Sequence, residues 1–256
     1  MILIKLKKLE KTWDEYYDSN HITAMKDKNF FKLETDAIIF NFSKKYNQSK
    51  KTNSDILELG CGTGYLAKQL LKSLDLNPKK SWNYTGVDFS GTAITKAKNA
   101  KLKNCIFIQS DFINFLEETV QKFDYIITQR SIMAILDKKS QEKLIKLIHN
   151  HLKPTGIGIF SECTIQSLNK IQKLRKQLSV PKFEKIWHSR YLDENFLEKV
   201  FSKIEVIDFS SSFWLITRVI FPYFQKPKHN TLLHKFAANV EQTGNYGLVK
   251  IFLVST

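Results

Sequence analysis

Three carboxylates and a glycine loop are the residues best placed to do chemistry together. In Ile56-Leu57-Glu58-Leu59-Gly60-Cys61-Gly62-Thr63-Gly64 an apolar strand runs into glycines at alternate positions. Such a loop turns sharply and lets a ligand come closer than any Cβ would allow. A second acid, Asp88, ends Tyr84-Thr85-Gly86-Val87-Asp88-Phe89, and a third, Asp111, lies between Phe107-Ile108-Gln109-Ser110 and Phe112. A carboxylate at the second strand end accepts both hydroxyls of a ribose. An acid followed by an aromatic suits an exocyclic amine beside a stacked purine, and Glu58 is close enough to the loop to hold an ammonium group, directly or through water. Each acid taken singly also reads as a helix cap. The loop departs from a dinucleotide fingerprint, because Tyr65 follows a third glycine that comes one residue early. It is not a Walker loop either, since no Gly-Lys-Ser/Thr closes it.

These groups work as a set only if the chain brings the strand ends side by side. Short β-rich runs at Asp55 to Leu59, Asn83 to Val87, Cys105 to Gln109, Asp124 to Thr128, Gly156 to Ser161, Lys203 to Phe209 and Leu248 to Val254 are read as strands. Amphipathic stretches at Tyr65 to Leu74, Thr92 to Leu102, Phe112 to Val120 and Ser140 to Leu152 separate the first five. Regular alternation implies right-handed crossovers and a mostly parallel sheet covered by helices on both faces, whose carboxyl edge carries Glu58, Asp88 and Asp111. Asn77-Pro78 is expected to end the first crossover helix, Ser90 to cap the second, and Lys153-Pro154-Thr155-Gly156 to turn the chain into the fifth strand. Residues 10 to 47 read as helical, with Phe31, Leu33, Ile38, Ile39 and Phe42 as a buried stripe. Two long insertions, 163 to 200 and 210 to 246, follow the fifth strand, and connections of that length usually carry function.

The 256 residues, about 1.7 typical domain lengths, fit one α/β domain with helical additions. The expected division is an N-terminal helical cap at 1–47, a binding core at 48–162, and covers at 163–200 and 210–246. Three scattered cysteines make neither a disulfide framework nor a metal pair, and the start has no secretory apolar core, so the expected location is the cytoplasm. The longest apolar run, Phe213 to Phe224, is too short to span a bilayer. The net charge of +15 raises nucleic acid as a partner, yet only four of the 40 cations are arginines, the residue that supplies most bidentate contacts to bases and phosphates. The lysines are spread along the chain, and a compositional bias would give the same charge.

In this order and at these intervals, ILELGCGTG, YTGVDFS and FIQSDF resemble the binding motifs of class I S-adenosylmethionine-dependent methyltransferases, over residues 54 to 162. The resemblance implies a Rossmann-like seven-stranded sheet with the last strand antiparallel, and S-adenosylmethionine lying across the carboxyl edge of the early strands. It also implies that Glu58, Gly60, Cys61, Gly62 and Gly64 surround the methionine moiety. Asp88 with Phe89 would meet the ribose, Asp111 and Phe112 the adenine, and Gln129 would close the pocket.

The acceptor is decided after the fourth strand, in Phe123-Asp124-Tyr125-Ile126-Ile127-Thr128-Gln129-Arg130-Ser131. Neither the Asn/Asp-Pro-Pro-aromatic pattern of amino-methylating base enzymes nor a Pro-Cys nucleophile is present. Cys61 and Cys163 read as small packing residues. Asp124 is at the wrong end of the strand for a catalytic metal, so no metal is expected. Methyl transfer needs in-line approach and, for a hydroxyl acceptor, a base. His188, beside Trp187, is the preferred base or else a structural histidine; Glu162 is a second base candidate or a helix cap; Arg130 anchors an anionic acceptor or pairs with a surface acid. TQRSIMAI, LKPTG, SEC, Trp187-His188 and FWLITRVIFPYF are also similar to bacterial small-molecule methyltransferases of surface-glycan and lipid-linked sugar pathways. That similarity implies O-methylation of a sugar-like or phosphorylated metabolite. Ser211 to Phe224 would then be a lid bearing Trp214, Arg218 and Tyr223, or a core segment, and Trp13, Tyr16 and Tyr17 would close the pocket from the other side. The competing readings are an RNA methyltransferase and a cofactor-binding scaffold without catalysis.

Overall fold

The computed structural model describes residues 2–18, 26–74, 79–184, 186–224 and 229–256. Seven strands form one sheet: β1 (Asn53–Leu59), β2 (Ser81–Asp88), β3 (Cys105–Gln109), β4 (Phe123–Gln129), β5 (Leu152–Cys163), β6 (Lys203–Ile207) and β7 (Val249–Ser255). Their order is β3-β2-β1-β4-β5-β7-β6, and β7 alone runs against its neighbours. This is the Rossmann-like sheet with an antiparallel last strand. The order reverses between β1 and β4, which opens a crevice at the carboxyl ends of these central strands.

Side-chain alternation divides the core into two layers. On one face Ile56, Tyr84, Phe107, Tyr125 and Ile127 pack against α2 (Lys28–Gln48), α3 (Tyr65–Leu74) and α4 (Gly91–Asn99). On the other, Leu57, Leu59, Val87, Phe123 and Ile126 pack against α5 (Phe112–Glu118), α6 (Lys138–His151) and α8 (Glu194–Val200). Strands covered on both faces read as near-continuous apolar runs, which is why β4 is buried from Phe123 through Thr128. Ser90 caps α4 through its hydroxyl, as expected, accepting from the Ala93 N–H at 3.1 Å. The expected stop at Asn77-Pro78 lies outside the described residues.

In the range 10 to 47 the described residues hold two helices, α1 (Ile2–Asp18) and α2, and Asp27 caps the second by accepting from the N–H groups of Asn29 and Phe30. One local expectation needs correction. Lys153-Pro154-Thr155-Gly156 is no turn before the strand, since β5 already begins at Leu152. Phe123 pairs with Leu152 and Tyr125 with Ile157, so these four residues bulge out opposite Asp124 alone. Within the bulge Lys153 reaches both Asp55 and Asp124 at 2.7 Å, at the amino end of the sheet. Asp124 is therefore a buried structural acid remote from the carboxyl edge.

The first insertion becomes α7 (Ile165–Gln177), a loop and α8. In the second, α9 (Ser211–Trp214) passes through a π-helical stretch, Leu215–Ile220, into α10 (Phe221–Phe224), and α11 (Leu232–Asn239) follows. Among the described residues no helix is long and apolar enough to cross a membrane.

Candidate active site

The glycine loop has the conformation its sequence requires. Gly60, Gly62 and Gly64 all have positive φ, +85°, +50° and +75°, and the Gly60 and Cys61 N–H groups donate to the Val87 carbonyl, stapling the loop to the end of β2. A Cβ on Gly60 would sit 2.4 Å from the Ser131 Cβ, and one on Gly62 would sit 2.8 Å from the Tyr17 hydroxyl. Hence the turn after β4 presses on the loop from one side and α1 closes it from the other. Cys61 is buried, and burial first, then Asp88 and Glu58 beside it, push its thiol far up, consistent with packing and not nucleophilic attack.

Asp88 converges on the same loop. One oxygen accepts from the Gly62 N–H at 2.9 Å and the other from the Ser90 N–H at 3.0 Å. Burial pushes its carboxyl up, against the pull of these N–H groups. Asp14 of α1, which sequence reasoning did not single out, accepts from the Ser90 hydroxyl at 2.5 Å and the Thr92 N–H at 3.2 Å, and it adds a second negative charge nearby. Glu58 is fully buried next to Asp88 and takes a hydrogen bond from the Tyr84 hydroxyl. Burial pushes its carboxyl up to about 8. A cation bound above the loop would draw both acids down again.

At the third strand end Asp111 caps α5, accepting from the Ile113 and Asn114 N–H groups. The Phe112 ring reaches to 3.6 Å from where a Gly60 Cβ would lie, so the aromatic after the acid does face the loop. Phe89 follows Asp88 half-buried, its carbonyl accepting from Gln109 at 3.3 Å.

The fourth strand end carries a network that the sequence did not reveal. Glu34, on α2 and fully buried, accepts from Arg130 Nε at 3.1 and 2.9 Å, from Gln129 Nε2 at 2.9 Å and from the Ser161 hydroxyl at 2.8 Å. The acid that pairs with Arg130 is thus a core residue, and the expected surface acid is corrected. Burial disfavours the guanidinium charge, but Glu34 more than restores it. Arg130 takes φ +56° while its N–H donates to the Ser161 carbonyl at 2.7 Å, and its charge is felt by Tyr16 and Tyr17 of α1.

Glu162 is engaged by backbone. Its carboxylate accepts from the N–H groups of Ser131, Ile132 and Met133, which begin the 3₁₀ turn Ile132–Ala134. Burial pushes it up to about 7 while those donors pull it down. Of its two expected roles the cap is the one the bonds show. Through it the turn is fixed, and Met133 in turn accepts the Arg190 N–H at 2.7 Å, which pins the loop bearing His188.

His188 packs edge-on to Trp13 and Trp187, with ring centroids at 5.6 and 5.4 Å, and Trp13 continues to Tyr16 and Tyr17. Burial and then Lys26 hold the imidazole below its usual range. Its Nδ1 is buried with no hydrogen-bond partner among the described residues, a costly arrangement that a bound ligand would relieve. Trp187 is half exposed beside it.

Two expected pocket residues go elsewhere. Trp214 is buried among Phe30, Phe213 and Phe183, so this part of Ser211 to Phe224 is core. Arg218 turns its guanidinium to His234 and His229, at 2.9 and 3.1 Å, and is not brought to the His188 cluster. Tyr223 is exposed. The placement of Trp214 follows from the aromatic run itself, because Phe213-Trp214 supplies the apolar side chains that Phe30 requires.

A parallel sheet reversed at β1 and β4, with a glycine loop and an acid at the next strand end, defines the class I S-adenosylmethionine-dependent methyltransferase fold. A family model described as methyltransferase domain matches residues 50–203, and the chain belongs to that family. A malonyl-[acyl-carrier protein] O-methyltransferase of Bacillus anthracis is 33% identical over 135 residues, 52% of this chain and 45% of its own length. An uncharacterised protein of Rickettsia prowazekii is 32% identical over 127 residues, 48% of each. The chain spans about half the length of the curated relatives it matches. Two solved structures share the fold over nearly the whole chain. An S-adenosylmethionine-dependent methyltransferase of Clostridium acetobutylicum is 19% identical, covering 98% of both chains with a TM-score of 0.53. The plantazolicin methyltransferase BpumL, in complex with a triazolic desmethylPZN analog and S-adenosylhomocysteine, is 17% identical, covering 98% of this chain and 90% of its own with a TM-score of 0.53.

Proposed function

We propose that the protein transfers a methyl group from S-adenosylmethionine to an oxygen of a small anionic acceptor, of sugar-like or phosphorylated type. The observation that carries this reading is the junction of α1 with the carboxyl edge: Tyr17 against Gly62, Asp14 against Ser90, and Trp13 against His188. One helix thus packs on the glycine loop and on His188 together, and its Tyr16 and Tyr17 feel the charge of Arg130. Residues 1–47 and 163–200 act as covers over the 48–162 core within a single cytoplasmic domain, and the part of 210–246 around Trp214 supports them from the core.

Glu58, Gly60, Cys61, Gly62 and Gly64 would hold the methionine portion of the cofactor, Asp88 and Phe89 the ribose, Asp111 and Phe112 the adenine, and Gln129 would close the pocket. The bound cofactor supplies an electrophilic methyl on a sulfonium, so what the protein must do is orient an oxygen and remove its proton. His188, neutral at pH 7, accepts that proton, and Arg130, held rigid by Glu34, faces an acceptor carboxylate or phosphate. Tyr17 and Trp187 wall the acceptor. Relatives named malonyl-[acyl-carrier protein] O-methyltransferases support an oxygen acceptor.

The test is methyl transfer from labelled S-adenosylmethionine to sugars, sugar phosphates and carboxylates. His188→Ala is expected to leave S-adenosylhomocysteine affinity unchanged and to lower kcat by roughly 100- to 10,000-fold. Because the imidazole is held below its usual value of 6.5, it stays unprotonated as pH falls through 6.5, so the acidic limb of kcat/KM is expected below that value. Full turnover by His188→Ala would remove the base assignment.

A further inference from the structure

We propose that Asp27, His229 and His234 form a binding site for a divalent transition metal of the zinc or nickel type, at a point that the Arg218 guanidinium fills. Asp27 Oδ2 lies 3.6 Å from His234 Nε2 and 3.8 Å from His229 Nδ1, and the three ligand atoms are all within 4.8 Å of one another. Bonds of about 2.0–2.1 Å to a tetrahedral zinc ion place ligand atoms roughly 3.3 Å apart, so the two pairs with Asp27, at 3.6 and 3.8 Å, need to close by only a few tenths of an ångström.

A guanidinium only donates, so the Arg218 bonds to His234 Nε2 at 2.9 Å and to His229 Nδ1 at 3.1 Å require both nitrogens to accept. The two imidazoles therefore aim their lone pairs at the guanidinium, and the Asp27 carboxylate lies beside them. With Nε2 accepting, His234 carries its hydrogen on Nδ1 and donates it to the Thr231 hydroxyl at 2.8 Å. This is the outer support that metal-ligating histidines use to fix ring orientation. Asp27 is steadied in the same way, its Oδ2 accepting from the Asn230 N–H at 3.0 Å.

Access and displacement are both provided for. Asp27 and His234 are buried, whereas the His229 side chain is 47% exposed and forms the solvent side of the site. Arg218 makes no ion pair among the described residues, so a metal entering the site displaces only its hydrogen bonds to His229, His234 and the Thr217 carbonyl. Two imidazoles with one carboxylate suit zinc or nickel and disfavour magnesium or calcium, which take oxygen ligands. The site joins the first turn of α2, the π-helical stretch and the start of α11, so a bound metal fastens the second insertion onto the helix that carries Glu34. It stands apart from the methyl-transfer reading and does not depend on it.

The experiment is calorimetric titration of the full chain, stripped with chelator, with Zn²⁺ and Ni²⁺. Arg218→Ala is expected to bind one equivalent at least tenfold more tightly than the natural protein, because the competing cation is gone. In that background His229→Ala and Asp27→Asn, the latter keeping an oxygen to cap α2, are each expected to weaken binding at least tenfold. Arg218→Met, which retains the apolar stem over Trp214, replaces the alanine variant if that fails to fold. No saturable binding in a folded Arg218 variant, equal affinity with and without the guanidinium, or binding indifferent to His229 and Asp27 would each overturn the proposal.

Discussion

Replacing Glu34 by alanine is expected to lower the unfolding free energy by about 3 to 5 kcal/mol, the cost of leaving a buried guanidinium without its counter-charge. The magnitude follows from burial: Glu34 is fully enclosed, the Arg130 side chain is only 12% exposed, and the same carboxylate also satisfies Gln129 and Ser161. Removing both charges together, as Glu34→Leu with Arg130→Met, should recover most of the loss, because no uncompensated charge then stays in the core. Urea unfolding reads both, as a fall in the midpoint at unchanged slope for the single variant and its return in the double. A single variant as stable as the natural protein would show that Arg130 finds another partner or solvent.

Asp88→Ala is expected to weaken S-adenosylhomocysteine binding by about 1 to 3 kcal/mol, or roughly five- to 150-fold, measured by calorimetry. Two effects combine. The ribose loses its acceptor, and the Gly62 and Ser90 N–H groups, each bonded to Asp88 at 2.9 and 3.0 Å, lose theirs, so the loop is less well held before the ligand arrives. Asp88→Asn keeps one acceptor oxygen and should fall between. Unchanged affinity in the alanine variant would remove the ribose assignment.

Much of this architecture is legible in the sequence because it is local. Strand and helix periods and a glycine loop that tolerates only positive φ depend on neighbours within a few residues, and β3 and α3 have the bounds read from their apolar patterns. What is illegible depends on contacts across the chain. Glu34 meets Arg130 ninety-six positions away, and nothing around a lone acid in an amphipathic helix announces a partner at a strand end. Arg218 looks like an anion anchor until the fold sets two histidines and Asp27 beside it. The bulge at residues 153 to 156 resembles a turn for the same reason: Pro and Gly mark a break in regular pairing, but the pairing of Leu152 with Phe123 and the contacts of Lys153 with Asp55 and Asp124 lie far along the chain.

The cofactor is expected across the carboxyl ends of β1 to β4, beneath α1. A crystal structure of the protein with S-adenosylhomocysteine tests it most directly. The expected result has the ribose hydroxyls on the Asp88 carboxylate, the amino-acid portion against Gly60 to Gly64, and the adenine beside Phe112. A ligand bound elsewhere, or a site that stays empty at saturating S-adenosylhomocysteine with α1 closed on the glycine loop, would contradict it.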